Sequence, residues 1–224
     1  KLYPRALNYL EILNHKKQTD EYASETLQYN YEMSQKFRAN FELLTQQPEI
    51  SLGFRIKLIE FLFKIAMKLK ITPFVTFKAV KLFDRYCSKR IVLGDQSQLV
   101  VCTCLWLAAK ITGGYHQSSY APHSNILLKN KPELPTRDLN FRLPKLIEFV
   151  KLCGKSCNYD EGMFVQMELH ILQTLNWELH DPNVDEFLLT ITDNQHCLVD
   201  DNQYEVYKIK QFMSYVALFV PEMI

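Results

Sequence analysis

Two groups of side chains in this sequence have types and spacings that could do chemistry. The first would ligate a metal: Cys153 and Cys157, with three residues between them, and His170 further on. Thiolates and an imidazole suit zinc, but zinc sites ordinarily show tighter cysteine pairs and a second pair of ligands, and neither is visible. A cysteine pair at a helix end explains the spacing as well, so no metal is expected. The second group is ionic. Arg55, Asp84, Lys110 and Glu168 each stand inside an otherwise apolar helical pattern. A charge in that position is paired, or it is kept for a partner.

Other catalytic arrangements are missing from the sequence. A phosphate-binding loop needs glycines that open a helix, and Gly113-Gly114 close one. There is no nucleophile elbow and no kinase signature. The 6 histidines, at positions 15, 116, 123, 170, 180 and 196, are scattered without a productive spacing to a nucleophile. Trp106 and Trp177 fall at helical core positions, where packing is the simpler role. No catalytic residue and no cofactor are expected, and the sequence reads as a binding module.

The elements that must position these residues are helical. Glycine is scarce, at 6 residues, and patterns of period 3.6 dominate, so the fold class is all-α. Helical stretches are expected at Ala6–Leu13 and Tyr22–Phe41, followed by a break at Gln46-Gln47-Pro48. A helix over Ser51–Leu69 carries Phe54, Leu58, Phe61, Leu62 and Ile65 on one stripe. Thr72 and Pro73 read as the cap and first residue of a helix over Phe74–Ser88. Thr72-Pro73 also fits a kinase target, but capping explains it more simply.

Asp95 is the expected cap of a helix over Gln98–Ile111. That helix is apolar all round and should be central and buried. Residues 113–142 are polar, with three prolines and little periodicity, and read as a long loop. Either a docking role or simple tolerance explains that length, and tolerance is favoured. Helices return at Leu143–Leu152, at Asp160–Leu175 with Asp160 as cap, at Asp181–Leu189 and at Tyr204–Val220.

Composition narrows the class of partner. The chain has 224 residues, 47% of them apolar, enough for one sizeable core. Its 26 Lys and Arg against 25 Asp and Glu leave no basic field for nucleic acid. The lysines Lys64, Lys68, Lys70, Lys78 and Lys81 read as a solvated face. No apolar run of about eighteen residues would span a membrane. No signal-peptide pattern opens the sequence. Cys87, Cys102 and Cys104 fall inside apolar helical patterns, as small buried hydrophobes do, so a reducing compartment is expected.

Arg55 and Asp84 lie on successive helices and are expected to pair with each other, since an unpaired buried charge is prohibitive. Two unrelated surface charges are the other reading. Lys110 ends the central helix, where a cation suits the helix dipole. If Lys110 and Glu168 come side by side at the surface, they form a charged patch ringed by Leu107, Ile111 and Leu172. Apolar anchors around a few oriented polar contacts would hold a partner's helix.

These residues also carry a resemblance. Phe54-Arg55-Ile56-Lys57-Leu58, Phe83-Asp84-Arg85-Tyr86, Gln98-Leu99-Val100 and Leu107-Ala108-Ala109-Lys110 resemble the successive signatures of a cyclin box. Met167-Glu168, Ile171-Leu172 and Leu175-Asn176-Trp177 resemble its fifth helix. The run from Asp84 to Leu93, with Thr103-Cys104-Leu105-Trp106, is similar to fungal Cln-type G1 cyclins. The resemblance implies a five-helix bundle around a central buried helix over residues 49–180, with its long loop at 113–142. A helical region over 1–48 would precede it, and the start of a second, incomplete cyclin-like module over 181–224 would follow.

The same resemblance implies a function: a regulatory subunit, itself no enzyme, that binds and allosterically activates a cyclin-dependent kinase at commitment to division. Arg55 and Asp84 would be the buried brace of the box. Lys110 and Glu168 would contact the kinase's regulatory helix, with Leu107, Ile111, Leu172 and Leu179 packing around them. Residence in nucleus and cytoplasm would go with this role.

One departure from the cyclin pattern bears on substrates. Many cyclins read an Arg-x-Leu motif in a cleft that ends in an acidic residue, and here that position is Lys64, which would repel the arginine. Cln-type relatives recognise Leu/Pro-rich motifs, and an apolar groove bordered by Phe54, Leu58, Phe61, Lys64 and Gln98 fits those better. The alternative keeps the fold and changes the role to a transcriptional cyclin or general transcription factor. The near-neutral charge argues against a DNA-binding version.

Overall fold

The computed structural model describes residues 10, 14, 17–18, 21–112, 143–153, 158–182, 187, 209–210 and 212–220. Among them the secondary structure is helical, without strands. The helices are α1 (Ala23–Lys36), α2 (Phe41–Thr45), α3 (Leu52–Leu69), α4 (Pro73–Cys87), α5 (Ser97–Thr112), α6 (Leu146–Leu152) and α7 (Glu161–Thr174). Residues 212–217 are also helical. All of the expected helix at Ala6–Leu13 but residue 10, the loop at 113–142, Cys157 and most of 183–208 lie outside the described residues.

Helix α5 is the centre of the bundle and packs on α3, α4 and α7. Of its 16 residues, 12 are buried, so it has no polar face to turn outward. Ala108 and Ala109 are fully buried, and small side chains there let neighbouring helices come close. Two hydroxyls share this interior. Thr103 Oγ1 donates to the Leu99 carbonyl at 2.7 Å and Thr112 Oγ1 to that of Ala108 at 2.6 Å, so neither is left unsatisfied.

Side-chain caps set three of the helix starts. Ser51 accepts from the Phe54 amide, Asn40 from Leu43 and Asp160 from Met163. Asp95 does not cap α5, which begins two residues later at Ser97; instead the Asp95 carbonyl accepts the Tyr159 hydroxyl. Thr72 occupies the cap position of α4 without a side-chain cap bond, and Pro73 follows at the first helical position.

The expected helix over Tyr22–Phe41 is two helices. The chain turns at 37–40 because Phe37 and Ala39 drop into the core, while Asn40 caps α2. Gln47 then ties the next loop to α4. Its amide donates to the Cys87 and Arg90 carbonyls at 2.6 and 2.7 Å, and its oxygen accepts from Val92 at 3.0 Å. One side chain thus satisfies the open end of α4.

Two helices end in left-handed residues that are not glycine. Lys70 has φ 56°, its amide bonding to Met67 and that of Ile71 to Ala66. At the end of α7, Asn176 and Trp177 have φ 54° and 60°, bonding to Gln173 and Leu172. Both are Schellman closures. Trp177 is therefore no core residue, as periodicity had it, but 63% exposed. The backbone reversal swings it off the buried stripe of α7.

The lysine face is also divided. Lys64, Lys68 and Lys70 are exposed. Lys78 is buried, and Lys81 pairs with Asp181 at 2.6 Å. Both lie on α4, which the segment after α7 covers.

Candidate functional site

Three structural features bear on the candidate residues: a buried brace, a partly exposed ion pair and the outer side of α3. The brace lies between α3 and α4. Arg55 Nε and Nη2 donate to the two Asp84 carboxylate oxygens at 2.8 and 2.7 Å, and Nη1 donates to the Leu218 carbonyl at 2.9 Å. The side chains are 2% and 1% exposed, so water does not compete for these bonds. Burial pushes the Asp84 carboxyl up from its ordinary range, while the hydrogen bonds and charge of Arg55 pull it back. A bidentate guanidinium satisfies both oxygens at once, the condition under which a buried ion pair is tolerated.

The partly exposed ion pair lies where α5 meets α7, with the Lys110 side chain 33% and that of Glu168 12% exposed. Lys110 Nζ forms an ion pair with Glu168. The same ammonium sits 3.7 Å from the centroid of the Trp106 ring, one turn back on α5. Trp106 thus packs partly against the core and partly under the lysine, holding Nζ toward α7.

Burial sorts the apolar residues expected around this pair. Ile111 and Leu179 are half-buried and can reach a partner. Leu107 is 3% exposed and Leu172 8%, so Leu107 is a core residue beneath the face and Leu172 shows only an edge. Helical spacing puts both on the inner side of their helices. The exposed apolar residues of α7 are Met163 at 36%, Val165 at 50% and Leu169 at 48%, the last two one turn apart beside Glu168, with Trp177 beyond the helix end. Their sequence signal is an apolar residue lying off the buried stripe of Phe164, Ile171 and Leu175.

The residues expected at a substrate groove lie along α3 and at the start of α5. Phe54 and Phe61 are half-buried against the core, Gln98 is half-buried and Lys64 is exposed. Leu58 is 3% exposed, so it supports this surface from below and does not line it.

The thiol and imidazole groups have other partners. His170 Nδ1 lies 2.8 Å from the Tyr86 hydroxyl, and Cys153 Sγ lies 3.6 Å from Cys102 Sγ. No group of three metal-ligating side chains occurs among the described residues. No helix among them is long and apolar enough to cross a membrane.

A bundle of this order, wound on a buried α5 and braced from α3 to α4, defines a class. Residues 25–180 match the family model described as Cyclin, N-terminal domain. The chain belongs to the cyclin family.

Among its relatives is the G1/S-specific cyclin CLN1 of Saccharomyces cerevisiae, 39% identical over 207 residues that cover 92% of this chain and 36% of that protein. The G1/S-specific cyclin CCN1 of Candida albicans is 30% identical over 194 residues, 87% of this chain and 24% of that one. The G1/S-specific cyclin CLN3 of Candida albicans is 31% identical over 217 residues, 94% of this chain and 41% of that one. The chain therefore spans well under half the length of these relatives.

Proposed function

We propose that this chain is the kinase-binding part of a G1 cyclin, a non-catalytic subunit that activates a cyclin-dependent kinase at commitment to division. The observation that carries this reading is the Lys110–Glu168 pair, set across two helices and flanked by exposed Val165 and Leu169. A charged pair beside apolar anchors is what an amphipathic partner helix needs: burial supplies affinity and the pair sets orientation. That the relatives are G1/S-specific cyclins supports the timing.

On this reading the cyclin supplies no chemistry. It binds the active arrangement of the kinase better than the inactive one, and the difference in affinity shifts the population. Residues 1–48, 49–180 and 181–224 then act as leading helical region, box and start of a second module. The subunit works in nucleus and cytoplasm.

Substrate recruitment belongs to the same proposal. Phe54 and Phe61, with Lys64 and Gln98 at the border and Leu58 beneath, would take a Leu/Pro-rich segment, and Lys64 would disfavour an arginine-bearing one. If Phe61→Asp and Lys64→Glu leave affinity for a Leu/Pro-rich peptide unchanged, the groove lies elsewhere.

The kinase reading is tested by mixing the purified chain with a cyclin-dependent kinase and measuring association and phosphorylation of a generic substrate. The chain is expected to bind and to raise activity. Lys110→Ala with Glu168→Ala is expected to abolish association without changing the melting temperature. Unaltered binding by that double variant would move the interface, and a wild-type chain that neither binds nor activates would sink the proposal.

A further inference from the structure

The geometry points to a thiol-oxidation site inside the bundle: Cys102 and Cys153 form a buried dithiol that hydrogen peroxide converts to an intrachain disulfide joining α5 to the end of α6. The two Sγ atoms lie 3.6 Å apart, in contact, although the residues are 51 positions apart in sequence. Neither is in a disulfide. A disulfide needs its sulfurs at about 2.0 Å, so they must approach by roughly 1.5 Å. Cys102 sits mid-way along the 16-residue α5 and is fully buried. Cys153 follows the last turn of the 7-residue α6 and is 5% exposed. The short helix end, not the central helix, supplies the movement.

Reactivity is selective among the described thiols. Burial and the nearby Asp84 carboxylate push Cys87 and Cys104 well up, which suppresses their thiolates. Cys153 is shifted the other way, because hydrogen bonding with the Cys102 thiol favours its thiolate. The sulfur most able to attack an oxidant is thus the one already touching a second thiol.

The reaction takes two steps. The Cys153 thiolate attacks one oxygen of hydrogen peroxide. The O–O bond breaks, leaving a sulfenic acid on Cys153 and a hydroxide that takes up a proton. Cys102 then attacks the Cys153 sulfur, the S–O bond breaks, and the hydroxyl leaves as water with the proton from Cys102. Two thiols lose one electron each and the peroxide gains two. The product closes a covalent loop containing all of residues 113–142, which restricts the unfolded chain and raises stability.

The test treats the reduced chain with hydrogen peroxide, blocks remaining thiols with an alkylating reagent and maps the peptides by mass spectrometry. A peptide pair joining Cys102 to Cys153 is expected, two hydrogen atoms lighter than the free peptides and separated by dithiothreitol. The melting temperature of the oxidised chain should rise by about 5 °C and return on reduction. Cys157→Ala should keep the cross-link, whereas Cys102→Ala should lose it. A disulfide from Cys153 to Cys157, over-oxidation of Cys153 without a cross-link, or protection of both thiols until the chain unfolds would each overturn the assignment.

Discussion

Arg55 grips Asp84 through two parallel bonds and turns its third donor to the Leu218 carbonyl, so one side chain joins α3, α4 and the helical segment ending near residue 218. The guanidinium is suited to this because its planar donors meet both carboxylate oxygens while one nitrogen still points elsewhere. The ionic contact braces the bundle and also holds its C-terminal described segment in place.

Arg55→Ala is expected to destabilise the chain by about 3–5 kcal/mol at neutral pH, because Asp84 is left buried without its cation. The loss should shrink as pH falls below about 4, where the unfolded chain's aspartates also bind protons and neutral Asp84 can stay inside. Urea unfolding at the two pH values measures this. An equal loss at both would mean that packing, not charge, dominates.

Val165→Asp and Leu169→Asp should each weaken association with a cyclin-dependent kinase at least tenfold while changing unfolding free energy by less than about 0.5 kcal/mol, as exposed positions do. Titration calorimetry alongside thermal melts separates the two effects. Leu107→Ala should do the opposite, costing about 2–5 kcal/mol of stability because it empties a core position.

Lys70→Gly should stabilise the chain by about 1 kcal/mol. Lys70 closes α3 at φ 56°, where a side chain is strained and glycine is not. Lys68→Gly, inside the same helix, should destabilise by about 1 kcal/mol. Paired denaturation curves give both signs.

Burial pushes the Tyr86 hydroxyl up to about 12, with small contributions from the neighbouring cysteines. A group whose folded value is raised stabilises the fold fully below its unfolded value, near pH 10, and loses that contribution as pH climbs toward 12. Tyr86→Phe should lose about 1 kcal/mol at neutral pH with the His170 hydrogen bond and show a shallower alkaline decline than wild type. Parallel alkaline decline in the two proteins would refute the shift.

Much of this was legible along the chain, for physical reasons. Periodicity announced α3, α4, α5 and α7 because each hides a stripe of apolar side chains, and Ser51 and Asp160 mark their starts with short polar caps. The split at Phe37–Asn40 was hidden, since helical propensity there yields to two side chains dropping into the core. Trp177 misled because periodicity assumes that the helix continues, and a Schellman turn intervenes. Leu58 and Leu107 looked like surface anchors because spacing places a residue on a face without saying how deep that face lies.

By itself the sequence determined an all-helical chain of the cyclin pattern with four ionic residues set among apolar ones, because local period and side-chain type are written along the chain. Only the tertiary structure decided which charges meet and how far from water. Arg55 and Asp84 close on each other in the interior, Lys110 reaches Glu168 at the rim, and Val165 and Leu169 emerge beside them. Contact and depth belong to the packing of α3, α4, α5 and α7 together, and residues far apart in sequence acquire partners only when those helices pack.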